Sequence, residues 1–461
     1  MEVLEEVLDE IKPEEEDKER LNEVSEELIE RAKKVASEIE IPVKPRIVGS
    51  TARGTWLSEE QDIDLFLMFS EDVSREDLEE KGLWIGKKIS KGRGAEQYAE
   101  HPYINAEING FDVDIVPCYD IADPTKLKSS VDRSPHHQDY VRGWLTSEQR
   151  DSVLILKKFL KGIGAYGSEL EVRGFSGYLC ELLIIRFDSF MKLVESAKDW
   201  GSSEIITLGD ERDPGELNKI FQDQPLIVVD PVDPSRNVAA AVSKKNYAKF
   251  IRACQDFSKE PRLEFFFPKE PPSSEDKLRR LMEARKSKIF AVSFEIQFDL
   301  VPDIIYPQLR KTKRALIREL EDANFRVLRG GVWGKNQAAL ILLELEVSEL
   351  PMVEKHLGPP LGVDAAPFIQ KHQKSEEKMS GPYIDKDGRL VFELEREQRE
   401  AKKVIQQVME RSEGFGRHVK ESVRASGYEI LEDEKIVQKS KEIKALKFLG
   451  NYFTKTLPWY R

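Results

Sequence analysis

The chain reads as a multidomain α+β protein, and three observations carry that reading. Acidic and apolar residues alternate at 62–69 and again at 111–119, the two-residue period of half-buried strands. Apolar residues recur at helical spacing through 2–40 and through most of 147–257. After a proline-rich stretch at 268–276 that reads as a linker, the pattern runs strand, helix, strand, strand from 288 to 345. At 461 residues the chain is too long for one ordinary core, and roughly 150 residues per domain suggests about three. The expected divisions are 1–146, 147–257 and 258–461.

The elements follow in order. Residues 2–40 place Leu21, Val24, Leu28, Ala32 and Val35 on one helical face opposite a dense acidic one. Pro42 and Pro45 precede a short strand, Arg46-Ile47-Val48. Strands are expected at 63–69 and 113–116, the latter ended by Pro117, with a helix near 78–89. Together they imply a compact α/β unit. Helices are expected at 150–160 and at 176–195, where Leu179, Leu182, Leu183 and Phe187 form a stripe. A strand-like run at 226–229 ends in Asp230-Pro231-Val232-Asp233-Pro234, a loop by its prolines, before a helix at 249–257. Beyond the linker come a strand at 288–294, a helix at 307–324 with Leu309, Leu316 and Leu320 inward, and strands at 325–333 and 337–345. That order predicts a ferredoxin-like or RNA-recognition-like module, without the stacking aromatics of the latter. Helices are expected at 348–357 and 396–411, while the periodicity of the tail, 420–461, settles no element.

Hydrophobic residues at 40% and charged residues at 34% fit a folded, soluble protein. No apolar run approaches a membrane span and the N-terminus is acidic, so a cytoplasmic protein without a membrane partner is expected. The three cysteines, Cys118, Cys180 and Cys254, lie far apart, which argues against a disulfide framework or a zinc knuckle and for buried thiols. A net charge of −13 disfavours a uniformly basic, nucleic-acid-binding surface. Basic residues nonetheless cluster at Lys157, Lys158 and Lys161, along Arg310–Arg318, and from Lys439 to Lys447, so RNA is not excluded.

The chemistry is concentrated in Gly49-Ser50-Thr51-Ala52-Arg53-Gly54-Thr55 followed by Gln61-Asp62-Ile63-Asp64-Leu65. A Gly-Ser turn between a strand and an opening helix turns backbone N–H groups and the Ser50 hydroxyl toward a phosphate, and Arg53 adds charge. Asp62 and Asp64 share one strand face, where their carboxylates can hold hard cations. A third acid is expected from a neighbouring strand, and Asp114 is the candidate. Asp112 shares its face, and periodicity alone does not separate the two.

With these residues in place the chain resembles the polymerase-beta-like nucleotidyltransferases. Longer strings narrow the likeness: His101-Pro102-Tyr103, Val131-Asp132-Arg133-Ser134-Pro135-His136-His137, Val172-Arg173-Gly174-Phe175-Ser176-Gly177-Tyr178-Leu179-Cys180-Glu181, and Asp230-Pro231-Val232-Asp233 with Arg236-Asn237. These are similar to the archaeal, class I CCA-adding tRNA nucleotidyltransferases. The resemblance implies a nucleotidyltransferase head, a helical central domain for nucleotide and base recognition, and an RNA-binding C-terminal domain. It implies template-independent addition of C, C and A to the tRNA 3′ end from CTP and ATP, with a two-magnesium site and release of pyrophosphate.

Carried over by position, the resemblance gives Asp62, Asp64 and Asp114 to the metals and Ser50 and Arg53 to the triphosphate. It gives His137, Lys157 and Tyr166 to further nucleotide and phosphate contacts, and Arg236 to the incoming base. It selects Asp114 over Asp112. Many members carry Glu where Asp62 stands here, and either acid can ligate magnesium. Arginine carries only donors and would favour cytosine N3 and adenine N1, both acceptors, over the N–H edges of uracil and guanine. The implied partners are tRNA, through its acceptor stem and T-arm, and the two triphosphates; a homodimer is left open. Competing readings are a poly(A) polymerase or oligoadenylate synthase, a catalytically inactive RNA-binding relative, and a minimal nucleotidyltransferase acting on protein.

Overall fold

Pro13 interrupts the N-terminal helical stretch. In a computed structural model that describes every residue except Met1, Glu40, Ala99, Glu100, Glu211, Asp299 and Asn336, the expected helix over 2–40 is two, α1 (Glu2–Ile11) and α2 (Glu15–Ala36). A proline supplies no N–H to the preceding turn, and α2 starts afresh from a capping box at Glu14 and Asp17. The expected end of that helix at Glu40 lies outside the described residues.

The chain forms two compact units, Met1–Lys269 with Leu457–Arg461, and Glu270–Thr456. The first contains β1 (Val43–Val48), α3 (Gly49–Arg53), β2 (Asp62–Phe69), α4 (Arg75–Ile89), β3 (Ala95–Tyr98), β4 (Pro102–Ile108) and β5 (Phe111–Tyr119). They build a five-stranded sheet in the order β1-β2-β5-β4-β3. β2 and β5 are parallel, in a register that sets Asp62 beside Asp112 and Asp64 beside Asp114. Ile63, Leu65, Val113 and Ile115 point to the opposite face, into a core closed by α2 and α4. Pro45 is tolerated because β1 is an edge strand.

The helical remainder of this unit comprises α5 (Arg133–Trp144), α6 (Ser147–Gly162), α7 (Gly177–Phe187), α8 (Phe190–Ala197), β6 (Glu204–Ile206), α9 (Pro214–Ile220), β7 (Leu226–Val228) and α10 (Lys244–Lys259). The helix expected at 176–195 is broken into α7 and α8 at Asp188, whose φ of 71° no α-helix accommodates. Phe159 lies at the centre of an aromatic core with Phe190, Phe257, Phe265 and Phe266. That core carries the unit past the expected division at 257/258 to Lys269. Trp459 returns to it from the chain's end, 1% exposed and stacked on Phe265. All three cysteines are buried.

The second unit opens on α11 (Glu275–Ala284), so the expected linker at 268–276 gives way to helix at its end. It continues through β8 (Lys288–Glu295), α12 (Pro302–Asp322), β9 (Val327–Lys335) and β10 (Ala338–Leu345), then β11 (Val353–Leu357), α13 (Ala366–Gln373), β12 (Lys378–Ile384) and β13 (Leu390–Glu395). α14 (Ala401–Arg411), α15 (Arg417–Ser426), β14 (Glu429–Glu432), α16 (Glu434–Glu442) and α17 (Leu446–Thr454) complete it. The sheet order β14-β8-β10-β9, all pairs antiparallel, is the βαββαβ pattern expected of a ferredoxin-like module. Both of its faces are covered: α12, α14 and α15 pack on one, and α11, α16 and α17 on the other. The face on which an RNA-recognition module stacks bases is therefore buried, in keeping with the missing aromatics. The helix expected at 348–357 is instead strand β11, one edge of a three-stranded sheet β11-β13-β12 inserted before α14. Among the described residues, no helix is long and apolar enough to cross a membrane.

Candidate functional site

The site is built on the β2 and β5 strands and the turn that enters them. β1 delivers the chain to Gly49, whose φ is 80°, a conformation that disfavours a side chain. A Cβ there would lie 1.9 Å from Asp64 Oδ2, so the glycine lets the turn and the carboxylate touch. Ser50 follows in the first turn of α3, and its carbonyl accepts from the Thr55 N–H at 3.0 Å. Gly54, in the left-handed region at φ 69°, then ends the helix.

Asp62, Asp64 and Asp114 stand together on the face opposite the core. Burial, then the neighbouring Asp114 carboxylate, pushes Asp64 up to about 6, with Arg53 opposing. Asp62 is raised by burial and by Asp112 and Glu60. Burial also raises Asp114, against a hydrogen bond of 2.9 Å donated by Asn105 Nδ2. Asn105 donates to Asp112 as well, at 2.5 Å. Among the described residues none of the three aspartates has a Lys or Arg within ion-pair distance, whereas the nearby Arg53 and Lys157 are paired with Glu181 and Glu60.

Crowded hard oxygen donors without a cationic partner suit a divalent ion. Among the described residues, however, no three His, Cys, Asp or Glu side chains converge to enclose one.

Arg53 does not extend freely toward a triphosphate. Its Nε donates to Glu181 Oε1 at 2.8 Å and a terminal nitrogen donates to Gln138 Oε1 at 3.0 Å, leaving its side chain 9% exposed. Lys157 is buried on α6, its Nζ 3.7 Å from Glu60 Oε2 and 5.9 Å from the Tyr166 ring centroid. Tyr166 is itself buried enough to raise its hydroxyl far above the ordinary tyrosine range. Lys161 joins them, 2.8 Å from Glu60 and 3.1 Å from Glu59. The basic cluster at 157–161 thus lies beside Asp62, ion-paired to Glu59 and Glu60.

His137 and Arg236 meet at a residue that sequence reasoning did not single out. Asp230 is fully buried, and its Oδ2 lies 3.0 Å from His137 Nε2 and accepts from an Arg236 terminal nitrogen at 2.8 Å. Tyr178 Oη donates to Oδ1 at 3.2 Å and stacks on the His137 ring at 3.8 Å. Burial would raise the Asp230 carboxyl, but His137, the Val232 N–H and Arg236 hold it down to about 2. Burial lowers His137 despite the pull of Asp230, so the ring is neutral near pH 7 and, donating from Nε2, offers Nδ1 as an acceptor. In the sequence Asp230 enters only within the string Asp230-Pro231-Val232-Asp233, which reads as a loop by its prolines, with no role of its own.

Three family profiles match this chain in succession: a nucleotidyltransferase domain over residues 21–137, a tRNA nucleotidyltransferase second domain over 151–267, and a CCA-adding enzyme C-terminal domain over 285–433. The CCA-adding enzyme of Methanosarcina barkeri is 40% identical over 433 residues, 93% of each chain. That of Halorubrum lacusprofundi is 41% identical, covering 86% of this chain and 87% of its own. That of Archaeoglobus fulgidus is 36% identical, covering 97% and 98%. With a carboxylate face, a glycine turn packed on it and relatives alike along nearly their whole length, this chain belongs to the family of CCA-adding enzymes.

Proposed function

We propose that this protein adds C, C and A to the 3′ end of tRNA from CTP and ATP without a nucleic-acid template, releasing pyrophosphate. The observation that carries the reading is the β2/β5 register, which aligns Asp62 with Asp112 and Asp64 with Asp114 beside the Gly49 turn, in a chain of the CCA-adding family. Asp62, Asp64 and Asp114 would hold two magnesium ions, which when bound lower the pKa of the attacking hydroxyl and neutralise the leaving charge. Ser50, Arg53, Lys157 and Tyr166 orient the triphosphate, so that most of the rate comes from positioning and charge stabilisation. His137 and Arg236, fixed by Asp230, face the base: Arg236 donates to an N3 or N1 acceptor.

In this reading 1–146 is the catalytic domain, 147–257 serves nucleotide and base recognition, and 258–461 binds RNA. The tRNA is met at its acceptor stem and T-arm through sequence-independent backbone contacts, in the cytoplasm. Incubating the protein with tRNA that lacks its 3′ CCA, one nucleoside triphosphate at a time, tests it. Stepwise products ending at CCA are expected; long A tracts or free oligoadenylate would overturn the assignment.

A further inference from the structure

Glu181 is a fully buried carboxylate on α7, outside the sheet that carries the metal acids. One of its oxygens, Oε1, accepts from Arg53 Nε at 2.8 Å and from Thr55 Oγ1 at 2.6 Å. The other, Oε2, is buried without a hydrogen-bond partner. Gln138 on α5 completes the clasp, accepting from Arg53 at 3.0 Å and donating to the Ala52 carbonyl at 3.2 Å. The segment 49–55 is therefore held from two sides: Gly49 rests on Asp64, while Arg53 and Thr55 are fastened to Glu181.

Burying a carboxylate and leaving one of its oxygens unsatisfied is costly, and a well-packed apolar residue would serve stability at least as well. What the acid provides is direction. Its attachment to Nε fixes the plane of the guanidinium, and Gln138 takes one terminal nitrogen. The remaining terminal nitrogen has no protein partner among the described residues. We propose that Glu181 is a positioning residue for the triphosphate: through Arg53 and Thr55 it locks the 49–55 turn in the orientation that receives the phosphates. The inference rests on the nucleotidyl-transfer reading above and adds to it a residue that does not itself touch substrate.

The test compares the full-length wild type with Glu181→Gln, Arg53→Gln and the double variant, measuring kcat and KM for CTP and for tRNA. Glu181→Gln keeps the shape and one acceptor oxygen but removes the charge that holds Nε. A KM for CTP raised roughly tenfold, with kcat within about threefold and the tRNA KM unchanged, is expected. The double variant should be no worse than Arg53→Gln alone, the non-additivity of residues acting as one unit. An unchanged KM for CTP, a parallel rise in the tRNA KM, or additive losses would each overturn the proposal. Should Glu181→Gln not fold, Thr55→Val removes one of the two donors and leaves the ion pair; it too must raise the CTP KM, and a wild-type value overturns the proposal. A wild type that adds no nucleotide to tRNA would overturn the functional reading instead.

Discussion

Asp112 and Asp114 differ by two residues, share a strand face and both accept from Asn105, yet their surroundings separate them. Asp114 aligns with Asp64 and is partly buried, whereas Asp112 aligns with Asp62 at the exposed start of β5. Asp114→Asn should abolish nucleotide addition, and Asp112→Asn should keep much of it; equal loss with folding intact would refute the assignment. Asp64, pushed up to about 6, makes a second point. Its folded pKa lies above the unfolded value of about 4, so the folded state holds the proton more tightly. The resulting penalty is absent below about pH 4, grows as pH rises toward 6, and is complete above it. Asp64→Asn should therefore raise the melting temperature of metal-free protein at pH 7.5 and leave it unchanged near pH 4, and magnesium should raise the wild-type value at pH 7.5. A stabilising effect confined to acid pH would contradict the sign. Asp62 and Asp64 were proposed from a strand's period of two, which shows locally; the same period left Asp112 and Asp114 unseparated, and only the resemblance chose between them. Glu181 and Asp230 were not legible, because what makes them matter is a partner 128 residues away in one case and 93 in the other.

Elements were legible where one periodicity dominated. β8 and β10 came through because each is a largely apolar run, and with α12 and the more mixed β9 they gave the order strand, helix, strand, strand; β14, which completes the pattern, lies in the tail whose periodicity settled no element. The 348–357 segment misled because Val353-Glu354-Lys355-His356-Leu357 is short enough to fit a little over one helical turn as well, and only pairing with β13 decides it. The loop from β5 to α5 shows an acid that ties elements together. Asp132 is buried, its Oδ1 accepting from the Tyr119 N–H at 2.9 Å and its Oδ2 from the N–H groups of Lys128 and Ser129 at 3.1 and 2.7 Å. It pins the end of β5, the strand that carries Asp114, to the start of the helix that carries His137. Asp132→Ala leaves three N–H groups without their acceptor and should cost about 2–4 kcal/mol in a urea melt, given about 1–3 kcal/mol for each buried donor stranded and incomplete additivity. A loss under about 0.5 kcal/mol would show that the loop is held by other means.

At the scale of the whole molecule, the chain's last residues belong to its first unit. Leu457–Arg461 returns to Met1–Lys269 after all of Glu270–Thr456 has been threaded between. Composition and periodicity in the tail gave no hint of this, because a five-residue segment has no period to read; Trp459 in Leu457-Pro458-Trp459-Tyr460 was the one available sign. Its indole stacks on Phe265 at 5.5 Å and its Nε1 donates to Asp256 Oδ2 at 3.1 Å, while the Tyr460 hydroxyl donates to the same oxygen at 2.7 Å. Asp256, on α10, is held in turn by Arg252 at 2.9 Å. The stability of the first unit thus depends on a segment at the far end of the chain. Trp459→Ala removes a fully buried aromatic and should cost about 3 kcal/mol. Trp459→Phe keeps the stacking, loses the hydrogen bond and should cost about 1 kcal/mol. Because the segment packs within the first unit, the loss should appear in that unit's melting and in its protection from hydrogen exchange around 244–266, with the amides of β8 and β10 unaffected. Loss of protection in β8 and β10, with 244–266 unchanged, would show that the clasp supports the second unit instead.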